Sequence, residues 1–212
     1  MTTPSFAFPQ PLADKYRPRA IADFIGLDKP KRVLANFAQR PRNAAFLFTG
    51  PSGTGKTTMA LALCEAIGGE LIHIPSQHCT VAELEDALRM TQYVPMASKR
   101  FWFALVDEAD QMTDKAQLAL LSKLDSTGRI DGCVFVFTCN STDGLEPRFL
   151  SRCLPIDFSS YGMAGEIAGY LANVWHSEGG NGNAPDFARL AKECRNNVRD
   201  CLGRLEVELM AL

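Results

Sequence analysis

The chain has 212 residues, of which 46% are apolar and 22% charged, and its formal net charge is −2. That balance supplies a core without disulfide or metal staples, in one medium domain or one domain plus a small appendage. It excludes a global basic field as the basis of nucleic-acid binding, and no apolar run approaches the length needed to span a membrane. The first residues, with Pro4, Pro9 and Pro11, read as an extended arm over residues 1–14 and not as a helix. They carry neither a charged n-region nor a long apolar stretch, so they are not a signal peptide. A basic segment, Lys15-Tyr16-Arg17-Pro18-Arg19, follows, and Asp28 opens a helix to about Arg40, ended by Pro41 and Asn43.

Strands and helices then alternate. Ala45 to Thr49 is a continuous apolar run, as in a strand buried on both faces. A glycine-rich loop and a helix from Lys56 to Ile67 follow, closed by Gly68-Gly69. Leu71 to Ile74 reads as a strand, Val81 to Met90 as a helix, Phe101 to Val106 as a strand, and Lys115 to Leu124 as a helix. Cys133 to Thr138 is a strand, Pro147 to Leu150 a short helix, and Leu154 to Asp157 the last strand. Strands separated by helices predict an α/β fold with a parallel sheet and right-handed crossovers. Beyond Phe158 only helices are expected, over Met163 to Trp175, Ala184 to Cys194 and Val198 to Leu212, with a turn at Gly179-Gly180-Asn181-Gly182. The organisation expected is an α/β domain over 15–158 and an all-helical domain over 159–212.

The loop Gly50-Pro51-Ser52-Gly53-Thr54-Gly55-Lys56-Thr57 fits G-x-x-x-x-G-K-[ST], between a strand and a helix as that motif requires. Its glycines let backbone N–H groups turn inward on phosphate oxygens, and the helix N-terminus adds partial positive charge. Thr58 continues the same turn. Lys56 is placed to reach the β- and γ-phosphates of ATP, and the Thr57 hydroxyl to ligate Mg2+. About fifty residues on, the apolar run from Phe101 ends in Asp107-Glu108-Ala109-Asp110. Asp107 is suited to hold Mg2+ through water, and Glu108 to orient or deprotonate an attacking water. Asp110 reads as a cap or a solvent-facing acid. At the end of the next strand, Thr138-Cys139-Asn140, a polar side chain would lie beside the acids and could touch the γ-phosphate or the water; by itself Asn140 is more often a turn residue.

The seven cysteines, Cys64, Cys79, Cys133, Cys139, Cys153, Cys194 and Cys201, contain no C-x-x-C pair. They are expected as reduced core thiols of a cytosolic protein. His73, His78 and His176 form no metal spacing. Arg89, Lys99, Arg100 and Lys115 could meet phosphates or simply face solvent, while Phe101 and Trp102 read as core.

These motifs together resemble the AAA+ ATPases, and most closely the clamp-loader subunits of the replication factor C small-subunit type and their bacterial and phage counterparts. The resemblance runs over nearly the whole chain. Lys15-Tyr16-Arg17-Pro18 is similar to the N-terminal signature of that group, and Asp23-Phe24-Ile25-Gly26 to the segment around adenine. It implies nucleotide contacts from Tyr16, Arg17, Pro18, Ile25 and Gly26. Asp107 and Glu108 fall at the Walker B acids and Asn140 at sensor 1. Thr113 to Gln117 with Leu120-Leu121 resembles the helix that follows Walker B. Ser151-Arg152-Cys153 matches the motif whose arginine enters a neighbouring subunit's ATP site as a finger. The spacing from Glu146-Pro147-Arg148 leaves Arg148 as a second candidate. Arg199, in Asn197-Val198-Arg199-Asp200, falls at sensor 2.

The implied protein is an ATPase using ATP and Mg2+, self-associating into a ring or spiral of five or six subunits. Its client would be a sliding clamp or a helicase, with DNA nearby, in the cytoplasm of a bacterial or phage-infected cell or at the nucleoid. Clamp-loader subunits also carry a helical collar, whereas the sequence here runs to Leu212, just after the lid. Helicase loaders and transposition regulators, which have only a base and a lid, therefore stay in view. So does a regulatory ATP-binding subunit with little hydrolysis of its own.

Overall fold

A computed structural model describes residues 10–75, 80–95, 99–125, 130–180 and 184–211. Pro4 and Pro9 of the expected arm, His78, Cys79, Asn181, Gly182 and Leu212 lie outside the described residues.

One compact unit spans Pro18–Ser160. Its five strands are β1 (Ala44–Thr49), β2 (Gly69–Pro75), β3 (Phe101–Asp107), β4 (Cys133–Cys139) and β5 (Leu154–Asp157), in the order β2-β3-β4-β1-β5. All pairings are parallel, with Leu47 opposite Phe137 and Val106 also opposite Phe137 from the other side. Alternation along β4 shows why the strands are apolar throughout. Val134 and Val136 pack on one face with Phe46, Phe48, Phe103 and Leu105. Phe135 and Phe137 pack on the other with Leu47, Ala104 and Val106. A parallel sheet covered by helices on both faces needs such runs.

The first face is covered by α2 (Asp28–Gln39) and α3 (Lys56–Ala66), through Leu34, Phe37, Met59 and Leu63. The second is covered by α4 (Val81–Arg89), α5 (Asp114–Leu124) and α6 (Pro147–Leu150), through Leu84, Leu88, Ala116, Leu120 and Phe149. Thr80 and Thr113 cap α4 and α5 by accepting the N–H groups of Glu83 and Ala116. Sheet and flanking helices match the fold expected from the sequence, with ends moved by one or two residues.

The other unit takes in residues up to Arg17 and those from Tyr161 onward. It contains α1 (Leu12–Lys15), α7 (Ala164–Ser177), α8 (Phe187–Glu193) and α9 (Val198–Met210). Ile167, Leu171, Trp175, Leu190, Leu202 and Leu205 are buried in it, and Asp186 and Asn197 cap α8 and α9. Residues 12–15 are helical, against the expected extended arm. Residues 15–17, expected to open the α/β domain, belong with the helices. The reason lies in side chains far along the chain. Leu12 is buried, Lys15 Nζ sits 2.7 Å from Glu178, and the Tyr16 hydroxyl also donates to Glu178. The prolines before Leu12 only bias the local backbone, and these tertiary contacts override that bias. Among the described residues no helix is long and apolar enough to cross a membrane.

Candidate nucleotide site

Strand order explains the site. β4 lies between β1, which leads into the P-loop, and β3, which ends in the acids. The C-terminal end of β4 can therefore reach both, and at this end of an open parallel sheet ligands bind. Lys56, Gln117 and Thr138 are the buried polar or charged residues among those described, and all three lie at or beside this edge.

Lys56 is the first residue of α3. Its Nζ donates to the carbonyls of Gly50 (2.7 Å) and Pro51 (2.9 Å) and to Asn140 Oδ1 (3.0 Å). A buried ammonium needs such partners. The loop around it exists because of its glycines. At Gly50 φ is +147°, and a Cβ would stand 2.4 Å from the Phe158 carbonyl. At Gly55 φ is +88°, and a Cβ would stand 3.0 Å from the Phe24 ring. Thr54 Oγ1 donates to the Pro51 carbonyl at 2.8 Å, Ser52 is exposed, and Gly53 and Thr58 are half-buried.

Thr57 Oγ1 donates to Asp107 Oδ1 at 2.7 Å, joining α3 to the end of β3. The same carboxylate oxygen accepts the Thr138 hydroxyl at 2.5 Å, and Thr138 Oγ1 accepts the Glu108 N–H at 3.0 Å. Glu108 has φ +54° and an exposed side chain. Asp110, read from the sequence as a cap or a solvent-facing acid, is half-buried, and its Oδ2 accepts the Asn140 N–H at 3.3 Å. Asn140 is thus tied by its backbone to the acidic turn and by its side chain to Lys56.

Gln117 on α5 is 1% exposed, donating to the Gly144 carbonyl (3.0 Å) and accepting the Glu146 N–H (2.8 Å). It anchors the segment that leads from β4 into α6 and on to Arg152. The sequence pattern marks Gln117 only as part of a family motif and Thr138 only as a strand end. A hydroxyl within an otherwise apolar buried strand was the available signal for Thr138.

Arg152 pairs with Asp125 in a two-point contact, Nε to Oδ1 at 2.9 Å and Nη2 to Oδ2 at 3.1 Å, and gives Nη1 to the Arg148 carbonyl at 2.7 Å. The guanidinium holds the Asp125 carboxyl below its usual range. Arg148 is exposed. Arg89 pairs with Asp86 at 3.2 Å, Lys99 with Glu65 at 3.8 Å, and Trp102 is core, its Nε1 donating to the Tyr93 carbonyl.

Pro18, Ile25 and Gly26 lie in the α/β unit, where neighbouring Phe24 packs against Gly55. Tyr16, Arg17 and Arg199 lie in the helical unit, Arg199 exposed at the second position of α9. The six described cysteines are free and buried, and burial pushes the thiols of Cys133 and Cys153 up to about 12.

The residues present fit a magnesium-bound nucleotide. The P-loop packs so closely on the Phe158 carbonyl that only glycine fits at residue 50. Lys56 is a cation at its base, and Thr57 with Asp107 pairs one hydroxyl and one carboxylate, a donor set suited to Mg2+ shared with phosphates.

Sheet order, P-loop and paired acids define a P-loop nucleotide-binding protein. The model of the family "ATPase family associated with various cellular activities (AAA)" matches residues 46–160, and the chain belongs to that family of ATPases. It is 26% identical over 200 residues to a replication factor C small subunit of Methanocella arvoryzae, covering 91% of this chain and 61% of that protein. It is 31% identical over 155 residues to that of Picrophilus torridus, covering 68% and 47%. The chain thus spans about half to three-fifths of the length of these relatives. Among solved structures, the Thermotoga maritima RuvB Holliday junction branch migration motor superposes with a TM-score of 0.75. Identity there is 18%, over 90% of this chain and 64% of that one, a likeness of fold.

Proposed function

We propose that this chain is an ATP-hydrolysing motor subunit of clamp-loader type, acting on a DNA-replication component. The observation that carries the reading is the continuous set of contacts from Lys56 to Asn140 and from Thr57 through Asp107 and Thr138 to Glu108. The names of the sequence relatives support the client class.

In this reading Lys56 exchanges its carbonyl partners for β- and γ-phosphate oxygens and keeps Asn140. Backbone N–H groups of residues 52–57 bind the phosphates. Thr57 and Asp107 would hold Mg2+, which would offset the negative charge of the phosphates. Glu108 orients a water and takes its proton as the oxygen bonds to the γ-phosphorus, and ADP leaves. Negative charge on the transferring group is met by Lys56 and by a guanidinium from a neighbouring subunit. Arg152 fills that role by releasing the partly exposed Asp125; Arg148 is the alternative finger. By the family resemblance Arg199 is assigned to the γ-phosphate, and Tyr16, Arg17, Pro18, Ile25 and Gly26 to nucleotide contacts. Subunits assemble as a ring or spiral with ATP at the interfaces, near DNA, in the cytoplasm or at the nucleoid.

The test is affinity capture with Glu108→Gln in ATP, beside steady-state turnover of the unmodified protein. Recovery of a sliding clamp supports the reading. Recovery of a replicative helicase or a transposase replaces the client, and absence of turnover at any concentration with DNA present reduces the chain to a regulatory nucleotide-binding subunit.

A further inference from the structure

We infer that Thr138 is a positioning residue that sets both acids of the hydrolysis site through one hydroxyl; the inference rests on the ATPase reading above. Thr138 is 2% exposed at the end of β4, the strand between the P-loop strand and the acidic strand. A hydroxyl has one proton and two lone pairs. Its proton goes to Asp107 Oδ1 at 2.5 Å, and its oxygen accepts the Glu108 N–H at 3.0 Å. Donation to the carboxylate fixes the direction of the hydroxyl and leaves a lone pair facing the next peptide.

Both recipients need the restraint. Asp107 Oδ1 already takes the Thr57 hydroxyl at 2.7 Å, so two donors, one from α3 and one from β4, hold one carboxylate oxygen and restrict where the other points. Glu108 has φ +54°, which a side-chain-bearing residue keeps only where its surroundings over-determine it. Its carbonyl accepts the Gln111 N–H at 2.9 Å, and Thr138 supplies the restraint on the amide side. Removing the hydroxyl therefore leaves Asp107 Oδ1 held by Thr57 alone and loosens the peptide that aims Glu108. Valine keeps the shape of threonine without proton or lone pair, whereas serine keeps both.

The experiment compares Thr138→Val and Thr138→Ser with the unmodified chain. Three quantities are read: affinity for a fluorescent ADP in Mg2+ and in EDTA, steady-state ATP turnover, and the thermal midpoint. Thr138→Val is expected to bind ADP normally in EDTA. It should lose about tenfold of the Mg2+-dependent gain in affinity and about 10–100-fold in kcat, with KM little changed. Thr138→Ser should stay within about threefold of the unmodified chain on each. A folded Thr138→Val with unchanged Mg2+ dependence and turnover overturns the inference, as does a serine variant as impaired as the valine one. If Thr138→Val does not fold, Thr138→Ala is judged by the same two criteria. If the unmodified chain does not turn over ATP, the ATPase reading falls, and the Mg2+ dependence of ADP affinity still decides whether Thr138 sets Asp107.

Discussion

At Gly50 and Gly68 the backbone asks for the same residue for different reasons. Both have positive φ, +147° and +65°. A Cβ at Gly50 would meet the Phe158 carbonyl at 2.4 Å, while one at Gly68 would meet nothing within 4 Å. Gly68→Ala should thus cost only left-handed strain, about 1–2 kcal/mol. Gly50→Ala adds a backbone clash and should cost about 3 kcal/mol or more, read as the shift in urea unfolding. Comparable shifts for the two would mean that Phe158 yields freely. At Lys56 the stake is the ligand. Lys56→Ala removes a cation buried at 8% exposure, and ATP affinity should fall by about 2–3 kcal/mol, roughly 30–150-fold, in a titration. Unchanged affinity would remove the phosphate site from this loop.

Elements meet at few polar points, and Gln117 is one of them. α5 touches the chain after β4 through its amide, with bonds of 3.0 and 2.8 Å to Gly144 and Glu146. Gln117→Leu preserves volume and strands one carbonyl and one N–H. The expected loss is about 1–3 kcal/mol in unfolding free energy. Because the same segment leads into α6, the variant should also slow assembly-dependent turnover without changing nucleotide affinity. A neutral effect on both would make Gln117 a passive filler. The strands were legible because burial on both faces demands unbroken apolar runs. The first helix was not, because four residues after three prolines carry no periodicity to read, and their helix depends on Leu12, Tyr16 and Glu178.

The two units carry separate tests. In the helical unit, hydrogen bonds from Lys15 and Tyr16 hold the Glu178 carboxyl below its ordinary value. A depressed carboxylate contributes stability above its unfolded pKa and loses it as pH falls through the folded one. The unmodified chain should therefore melt above Glu178→Gln at pH 7, and the gap should close as pH drops through and below the carboxylate range. A gap constant with pH would exclude this anchor. For the assembly proposed above, Arg152→Ala should leave ATP binding by a single chain intact and reduce turnover about 10³-fold or more at concentrations where subunits associate. Equal turnover with and without Arg152 would pass the role to Arg148, whose alanine variant is the matching measurement.

By itself the sequence determined the class of chemistry. The P-loop spacing, the two acids closing an apolar strand and the strand–helix alternation are local patterns, set by backbone conformation and by burial on each face. Only the tertiary structure decided which of these groups meet. Strand order places β4 between β1 and β3, and so brings Thr138 to Asp107 and Glu108 and Asn140 to Lys56. Tertiary packing also pairs Arg152 with Asp125 and, within the helical unit, joins Lys15 and Tyr16 to Glu178, more than 150 positions away. No periodicity records such meetings, because they depend on which elements the fold brings side by side.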